Sequence, residues 1–314
     1  MKKKWMPLSG NFIENENSVV FQGNNQSNTD HSSLLNTLVP QLAPSGMVLY
    51  DDIISCGSIE ATIEFEKFDR GDLGQIVFNY QNYDNYMCAG VGNTAVKFGI
   101  NVINGSVSNT ISATGFMDAL PVKRFDMTVC MMGSYLELWV NSIRVLTSPS
   151  PFPISPSQVG VLVKSNGKVT ISNFKANYQK PEAFIVSQFG GDYDILYSDV
   201  IEPVCDRLGY KPIRGDEIAS CSMIINDIAD SIRNATVIVA DISPDNPNVF
   251  YEVGFAHALN KPTILLCEKS IREKLPFDVS GFRTIFYDNS IGGKKKVEEK
   301  LGEYLRKISI LIMP

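Results

Sequence analysis

The hydrophobic period changes partway along the chain, so its two halves cannot belong to the same kind of sheet. Up to about Lys175 the period is two. "GSIEATIEFEKF" (Gly57–Phe68) puts Ile59, Ala61, Ile63 and Phe65 on one face and Glu60, Thr62, Glu64 and Glu66 on the other. That is the pattern of an antiparallel strand with one face buried and one wet. "GQIVFNYQN" (Gly74–Asn82), "AVKFGINVING" (Ala95–Gly105), "RFDMTVCMMG" (Arg124–Gly133), "YLELWVNSIRV" (Tyr135–Val145), "QVGVLVKSNG" (Gln158–Gly167) and "VTISNFKANY" (Val169–Tyr178) continue the series. Asp-Arg-Gly, Asn-Gly and Gly-Ser turn signals separate them, and no helical pattern interrupts. Short strands at this spacing predict a two-sheet antiparallel β-sandwich. In it, Trp139 and the other aromatics of this half are expected to fill the core.

From about Pro181 the strands become unbroken apolar runs: "EAFIVSQF" (Glu182–Phe189), "TVIVADI" (Thr236–Ile242) and "PTILLCE" (Pro262–Glu268). Such runs mark parallel strands covered on both faces. "YKPIRGDE" (Tyr210–Glu217) and "RTIFYD" (Arg283–Asp288) add two weaker strands. Between them, Met223, Ile224, Ile228 and Ile232 sit at helical spacing, as do Val249, Val253 and Ala256. The expected fold class is therefore multidomain: a sandwich over residues 1–178, then an α/β doubly wound parallel sheet over 179–314 with strict β-α alternation. The polar stretch "YQKPEA" (Tyr178–Ala183) is the break. A chain of 314 residues suits two units of roughly 100–200 residues each.

Composition narrows the function classes. The net charge of −6 argues against a global grip on nucleic acid or an anionic membrane. Lys2–Lys4 and Lys294–Lys296 read as solvated charge. Six cysteines (Cys56, Cys88, Cys130, Cys205, Cys221 and Cys267) show no C-x-x-C spacing and read as free thiols of a reducing compartment. With His31 and His257 far apart, no zinc site is expected. The N-terminal "MKKKWMPLSG" lacks the apolar stretch of a signal peptide, and no apolar run reaches membrane-spanning length. A cytoplasmic protein without a membrane anchor is the expectation.

Ligands of doubly wound sheets bind beyond the carboxyl ends of the strands. After the first strand come Ser187, Gln188, Phe189, Gly190 and Gly191; after the second, Arg214 and Asp216; at the end of the third, Asp241, then Asn246. The Gly-Gly pair suits either a phosphate at a helix start or a plain turn. Asn246 is a good N-cap and Pro247 a good first helical residue. Glu252 then lies in the second helical turn, on an apolar face with Phe255, Ala256 and Leu259. A carboxylate there is either a partly desolvated, reactive anion in a cleft or a structural one paired with Arg214 or the backbone. The residues leave both readings open. His257, five residues on, falls off that face and reads as a packing or surface histidine.

"AFIVSQF", "GYKPIRGDEI" and "ATVIVADISPDNPNVFYEVGFAHALNKPTILL" together resemble the nucleoside 2-deoxyribosyltransferase-like superfamily over about residues 182–290. That group is related more distantly to TIR-type NAD-cleaving domains. The Asn-Pro-Asn-Val-x-Tyr-Glu-x-Gly block is the specific part. The resemblance implies a flavodoxin-like sheet and a glutamate, here Glu252, that attacks the anomeric carbon of a ribosyl group and displaces the base. It implies that Asp241 contacts the nucleoside, that Ser187, Gln188 and Phe189 lie by the sugar, and that Arg214 and Asp216 form a second-strand pair, Arg214 being suited to a phosphate. It calls for no metal or cofactor and implies a homo-oligomer. Where the transferases carry an acidic residue that engages the base, this chain has Asn246 and Asn248, with Asp245 one step further. That departure points to hydrolysis of a nucleotide such as NAD, or to nucleotide sensing, rather than to transfer between bases. The strand order of residues 10–178 is similar to the concanavalin A-like, laminin-G-like jelly roll, which implies a recognition or assembly module with a ligand the sequence does not name. Glu137 alone in "YLELWVN" departs from the spaced acidic residues of glycosidases on that fold. By analogy, a sandwich joined to a nucleotide-cleaving unit suggests a bacterial defence or stress effector. The rival readings are a non-catalytic nucleotide sensor and a glycan- or protein-binding interaction protein.

Overall fold

The computed structural model describes residues 4–23, 43–92, 96–116, 122–133, 135–152, 154–217 and 224–310. His31, Cys221, Met223, Lys2 and Lys3 lie outside the described residues. Apart from two short stretches, the described chain divides into two compact units at Tyr178 and Gln179.

The first unit is a sandwich of two seven-stranded antiparallel sheets. In chain order its strands are β1 (Trp5–Ser9), β2 (Phe12–Glu14), β3 (Ser18–Phe21), β4 (Ser45–Ile54), β5 (Gly57–Phe65), β6 (Leu73–Asn82), β7 (Asn85–Val91), β8 (Val96–Asn104), β9 (Val107–Phe116), β10 (Arg124–Met132), β11 (Tyr135–Val140), β12 (Ile143–Pro149), β13 (Ser157–Lys164) and β14 (Val169–Tyr178). One sheet runs β1-β4-β13-β6-β7-β8-β9 and the other β12-β11-β10-β5-β14-β3-β2. Strands adjacent in space are often distant in sequence: β5 lies between β10 and β14.

Alternation decides which side chains meet between the sheets. Ile59, Ala61, Ile63 and Phe65 of β5 join Phe125, Met127 and Val129 of β10 in one core with Ile76, Phe78, Val159 and Val161 of the opposite sheet. The expected place of Trp139 in that core is corrected by the same parity. Leu136, Leu138 and Val140 point inward and are buried, so Trp139 and Glu137 face outward. Residue type favours the core for an aromatic side chain, and its position on the strand makes it surface.

The second unit holds a five-stranded, all-parallel sheet of β15 (Glu182–Val186), β16 (Lys211–Arg214), β17 (Val237–Asp241), β18 (Thr263–Glu268) and β19 (Thr284–Tyr287), in the order β16-β15-β17-β18-β19. Both faces are covered, which explains the unbroken apolar runs. Ala183, Ile185, Val237, Val239, Ile264 and Leu266 pack with α2 (Glu202–Arg207) and α5 (Ile291–Ile310) on one face. α1 (Asp192–Leu196) leads into α2 through a π-turn at Tyr197–Ile201. Phe184, Ile238, Ala240, Leu265 and Cys267 pack with α3 (Ile224–Asn234) and α4 (Pro247–Ala258) on the other. Strict β-α alternation fails once. β18 and β19 are joined by a 3-10 turn at Phe277–Val279 instead of an α-helix. Pro276 and Gly281 bracket that turn, and proline and glycine are poor helix interior residues. The second strand is also shorter than its sequence run, because Gly215–Glu217 turn into a 3-10 helix. No described helix is long and apolar enough to cross a membrane.

Candidate functional site

β15 and β17 are neighbours in the sheet, yet the loop leaving β15 runs to α1 on one face and the loop leaving β17 runs to α4 on the other. The gap between the diverging loops is where a parallel sheet leaves room for a ligand. A cavity of about 420 Å³ sits there, at the carboxyl ends of β15, β16 and β17. Its walls come from the loop after β15 (Ser187, Gln188, Phe189), from Gly215 after β16, and from the first turns of α4.

Chain geometry at α4 is set locally. Asn246 adopts an extended conformation as N-cap, its side-chain oxygen accepts from the Asn248 N–H at 3.0 Å, and Pro247 takes the first helical position. Val249, Val253 and Ala256 bury one face of the helix against the sheet. Glu252 is thereby left on the cavity wall with Asn246 and Asn248. Asn246→Ala is expected to cost about 1 kcal/mol in urea unfolding, the usual worth of a capping side chain. Asn248→Ala keeps the backbone donor and is expected to leave the unfolding midpoint unchanged.

Burial alone pushes the Glu252 carboxyl up to about 7. Among the described residues it makes no hydrogen bond or ion pair. The structural alternative, pairing with Arg214, does not occur. Arg214 is buried and gives Nε to Asp216 Oδ1 at 2.7 Å, Nη2 to Asp216 Oδ2, and Nη1 to Asp194 Oδ1 at 2.8 Å. Its guanidinium also lies over the rings of Tyr197 and Phe189, at 4.8 and 5.3 Å. Held by two carboxylates and against two rings, Arg214 braces the loop beside the cavity and is not among the residues that line it; neither is Asp216.

Asp241 is also set back from the cavity. It is 2% exposed and saturated: Oδ1 accepts from the Ser243 N–H (2.9 Å) and hydroxyl (2.5 Å), and Oδ2 from the Tyr287 hydroxyl (2.7 Å). Desolvation still holds its pKa above the ordinary value. Ser243 Oγ in turn accepts from the Glu268 N–H at 2.7 Å, so this cluster ties the ends of β17, β18 and β19 together.

Ser187 has an enclosed hydroxyl with no hydrogen-bond partner among the described residues. A buried, unpaired hydroxyl costs on the order of 1–3 kcal/mol, which a ligand atom in the cavity would recover. Gly190 and Gly191 both take positive φ (97° and 60°), and the Gly190 N–H donates to Asp194 Oδ1, so the pair makes a turn that the Arg214 brace anchors. His257 stacks flat on Phe282 at 3.6 Å, away from Glu252, as a packing histidine.

Five lining residues escape the strand-end reading: Ile185, Ile225, Ile228, Val249 and Tyr251. Tyr251 and Ile225 are large, apolar and exposed at 59% and 48%, as is Phe189 at 54%. The tyrosine stands next to the candidate nucleophile in sequence, which is the one signal available; Ile228 and Val249 read as ordinary helix core by their spacing, and Ile225 falls outside that spacing. Exposed apolar groups gathered at a cavity mouth suit the flat face of a heterocycle. Among the described residues, no group of three or more His, Cys, Asp or Glu side chains is placed to hold a metal ion.

No protein-family model matches the chain, and no curated protein sequence matches it. Among solved structures it is similar to the carbohydrate binding module CBM66 from Bacillus subtilis, at 14% identity and TM-score 0.41, over 54% of this chain and 92% of that one. It is also similar to a Clostridium botulinum CMP N-glycosidase, at 21% identity and TM-score 0.32, over 39% of this chain and 98% of that one. A third likeness is to a lichenase from a mouse hindgut metagenome, at 8% identity and TM-score 0.37, over 54% and 90%.

Proposed function

We propose that residues 179–314 form a flavodoxin-like, doubly wound nucleotide N-glycosidase unit, with Glu252 as nucleophile, carried behind a concanavalin A-like recognition or assembly sandwich at 1–178. The observation that carries this reading is Glu252 itself: a desolvated carboxylate on the wall of a cavity of about 420 Å³, with no partner among the described residues to neutralise it. The order β16-β15-β17-β18-β19 is the flavodoxin-type order and supports a ligand at this point. In the reaction, a Glu252 carboxylate oxygen bonds to the anomeric carbon as the bond to the base nitrogen breaks and its electron pair leaves with the base. Water then cleaves the glycosyl ester and restores the carboxylate. Ser187 Oγ and the amides of Gln188, Asn246 and Asn248 hold sugar and base, while Phe189 and Tyr251 border the ring.

One observation favours a second reading, a nucleotide sensor that binds without cleaving. Asp241, the other carboxylate assigned to the site, is occupied by Ser243 and Tyr287 and stands outside the cavity wall. The deciding experiment incubates the purified chain with NAD and a panel of ribo- and deoxyribonucleotides and follows free base by chromatography. Release of one base supports the glycosidase and identifies its substrate. Tight binding of a nucleotide recovered intact supports the sensor.

A further inference from the structure

The outer face of β5 and β10 carries a second hollow, of about 490 Å³, within the ~300–1,000 Å³ of small-molecule sites. Alternation supplies its groups. Glu60 faces Thr128 across the β5–β10 pair, and Thr62 faces Asp126. All four alternate with core residues and point away from the core, and Trp139 comes out beside them from β11 by the same parity. β14 adds Asn173 through a bulge. Between Ser172, opposite Thr62, and Lys175, opposite Glu60, two residues stand where β5 has one. Asn173 takes a left-handed φ of 52° there, so it joins the hollow while Phe174 packs against Trp5 and Tyr50.

The wall has one sign of charge. Glu60 and Asp126 line it, and no lysine, arginine or histidine does among the described lining residues. Arg124 divides itself between Asp126 Oδ1 (3.3 Å) and Glu64 (3.7 Å), and Arg144 holds Glu137 at 2.9 Å. Lys175, opposite Glu60, is not among the lining residues. Each lining carboxylate has one oxygen fixed. Asn177 Nδ2 donates to Glu60 Oε1 at 2.9 Å, and the Thr62 hydroxyl donates to Asp126 Oδ1 at 2.6 Å while accepting from Asn173 Nδ2 at 3.2 Å. Glu60 Oε2 and Asp126 Oδ2 accept no hydrogen bond from a described residue. The half-buried Cys130 thiol of the wall is pushed up to about 11, by burial first and then by the charges of Glu137 and Glu60. Trp139 adds a fixed aromatic surface. Its indole N–H donates to Glu137 Oε2 at 2.8 Å. β11 lies between β12 and β10. Arg144 comes from β12 and lies over the indole at 5.8 Å, while the hollow is built on the other side of β11.

We propose that this hollow binds a linear aliphatic diamine or polyamine in its ammonium form. Glu60 and Asp126 are diagonal neighbours on one face of an antiparallel pair, and such positions lie about 7–8 Å apart. Two carboxylates so spaced match two ammonium groups joined by a short methylene chain, one for each open oxygen. The indole attracts an ammonium group and packs against the methylenes between. An anion meets like charge here. Among the described residues no three His, Cys, Asp or Glu side chains converge to take a metal ion instead. The site belongs to the first unit and does not depend on the chemistry assigned to Glu252.

Calorimetry on the full chain tests this with putrescine, cadaverine and spermidine, beside n-butylamine, which carries one charge, and butanediol, which carries none. Saturable binding of at least one diamine or polyamine is expected, about fivefold tighter than butylamine, with no binding of the diol. Raising salt from about 20 to about 300 mM is expected to weaken it. The full chain has two tryptophans, Trp5 and Trp139, so in Trp5→Phe the emission change on titration reports on Trp139. Glu60→Gln and Asp126→Asn keep the oxygens that accept from Asn177 and Thr62. Each is expected to weaken the amine about threefold, and both together about tenfold. Trp139→Ala is expected to weaken it about threefold to tenfold. Circular dichroism verifies folding of the variants. No binding of any of the three amines, butylamine or the diol bound as tightly as the best of them, or affinity unchanged in the double variant each overturns the proposal.

Discussion

Glu252→Gln is expected to lower base release by roughly a thousandfold or more, the scale on which removing a covalent nucleophile acts. Glutamine keeps the shape of the side chain. No protein hydrogen bond or ion pair to a described residue is lost with the charge, so folding and nucleotide binding are expected to survive. The pH profile follows from the same environment. The reacting species is the carboxylate, and burial holds the carboxyl at about 7. Release by the native chain is therefore expected to rise with pH through about 7 and then level off. A flat profile between pH 5.5 and 8.5, or a glutamine variant that still releases base at the native rate, would sink the nucleophile assignment.

That substitution has a stability corollary with a definite sign. The unfolded carboxyl titrates near 4.3 and the folded one near 7. Between those values the folded state holds the proton more tightly, so the native chain loses stability as pH rises through this window. Glutamine has no such titration. Glu252→Gln is expected to be more stable than the native chain at pH 8 by about 1–2 kcal/mol, after discounting for partial solvent access, and about equal at pH 4. Urea unfolding at the two pH values measures it. A gain at pH 8 with loss of base release is the signature of a residue kept for function at the expense of the fold.

How far the sequence could be read depended on the range of the interaction. Asn246, Pro247 and Glu252 were legible because a cap, a first helical residue and a second-turn position are fixed within seven residues of chain. The sheet was legible because runs such as Val237–Asp241, apolar on both faces, have few alternatives. Arg214 was visible as a cation at a strand end, yet its role was not, since Asp194 is twenty residues away and Phe189 and Tyr197 approach only once the loop after β15 has folded. Asp241 shows the same limit: its partner Tyr287 comes from a strand two positions across the sheet. Trp139 failed for another reason. Residue type favoured the core, while parity with Leu138 put it outside, and parity is the physically stronger constraint on a strand. Asn173 of β14 could not be placed by alternation at all: between Ser172 and Lys175 two residues stand opposite one of β5, and such a bulge shifts the phase by one residue without leaving a turn signal.

Arg214→Met is expected to destabilise the second unit by about 2–3 kcal/mol and to weaken nucleotide binding although Arg214 is not on the cavity wall. Two effects combine. The guanidinium joins the end of β16 to α1 through Asp216 and Asp194, and it packs against the Tyr197 and Phe189 rings. Removing a buried partner costs about 3–5 kcal/mol when the remaining charge stays dry. Here both carboxylates are partly exposed, so most of the loss comes from packing and cation–π contact. Arg214→Lys is expected to rescue little, since one ammonium cannot bridge both carboxylates in the planar geometry of the fork. Acid separates the charge contribution from packing. Arginine holds Asp216 below the ordinary carboxylate range, and Asp194 is held below it by the Gly190 N–H first and the arginine second. Their contribution is thus present above the unfolded value near 3.9 and lost as pH falls through the folded ones. The gap between the native chain and Arg214→Met should narrow below that range by the ion-pair contribution alone, with the packing contribution left, and a constant gap down to pH 2 would show that the ion pairs contribute nothing. Phe189 carries the binding effect. It lines the cavity and loses the cation that its ring rests against, so the nucleotide Kd should rise in Arg214→Met at a temperature where the variant is still fully folded. An unchanged Kd would show that the β15 loop holds its shape without the brace.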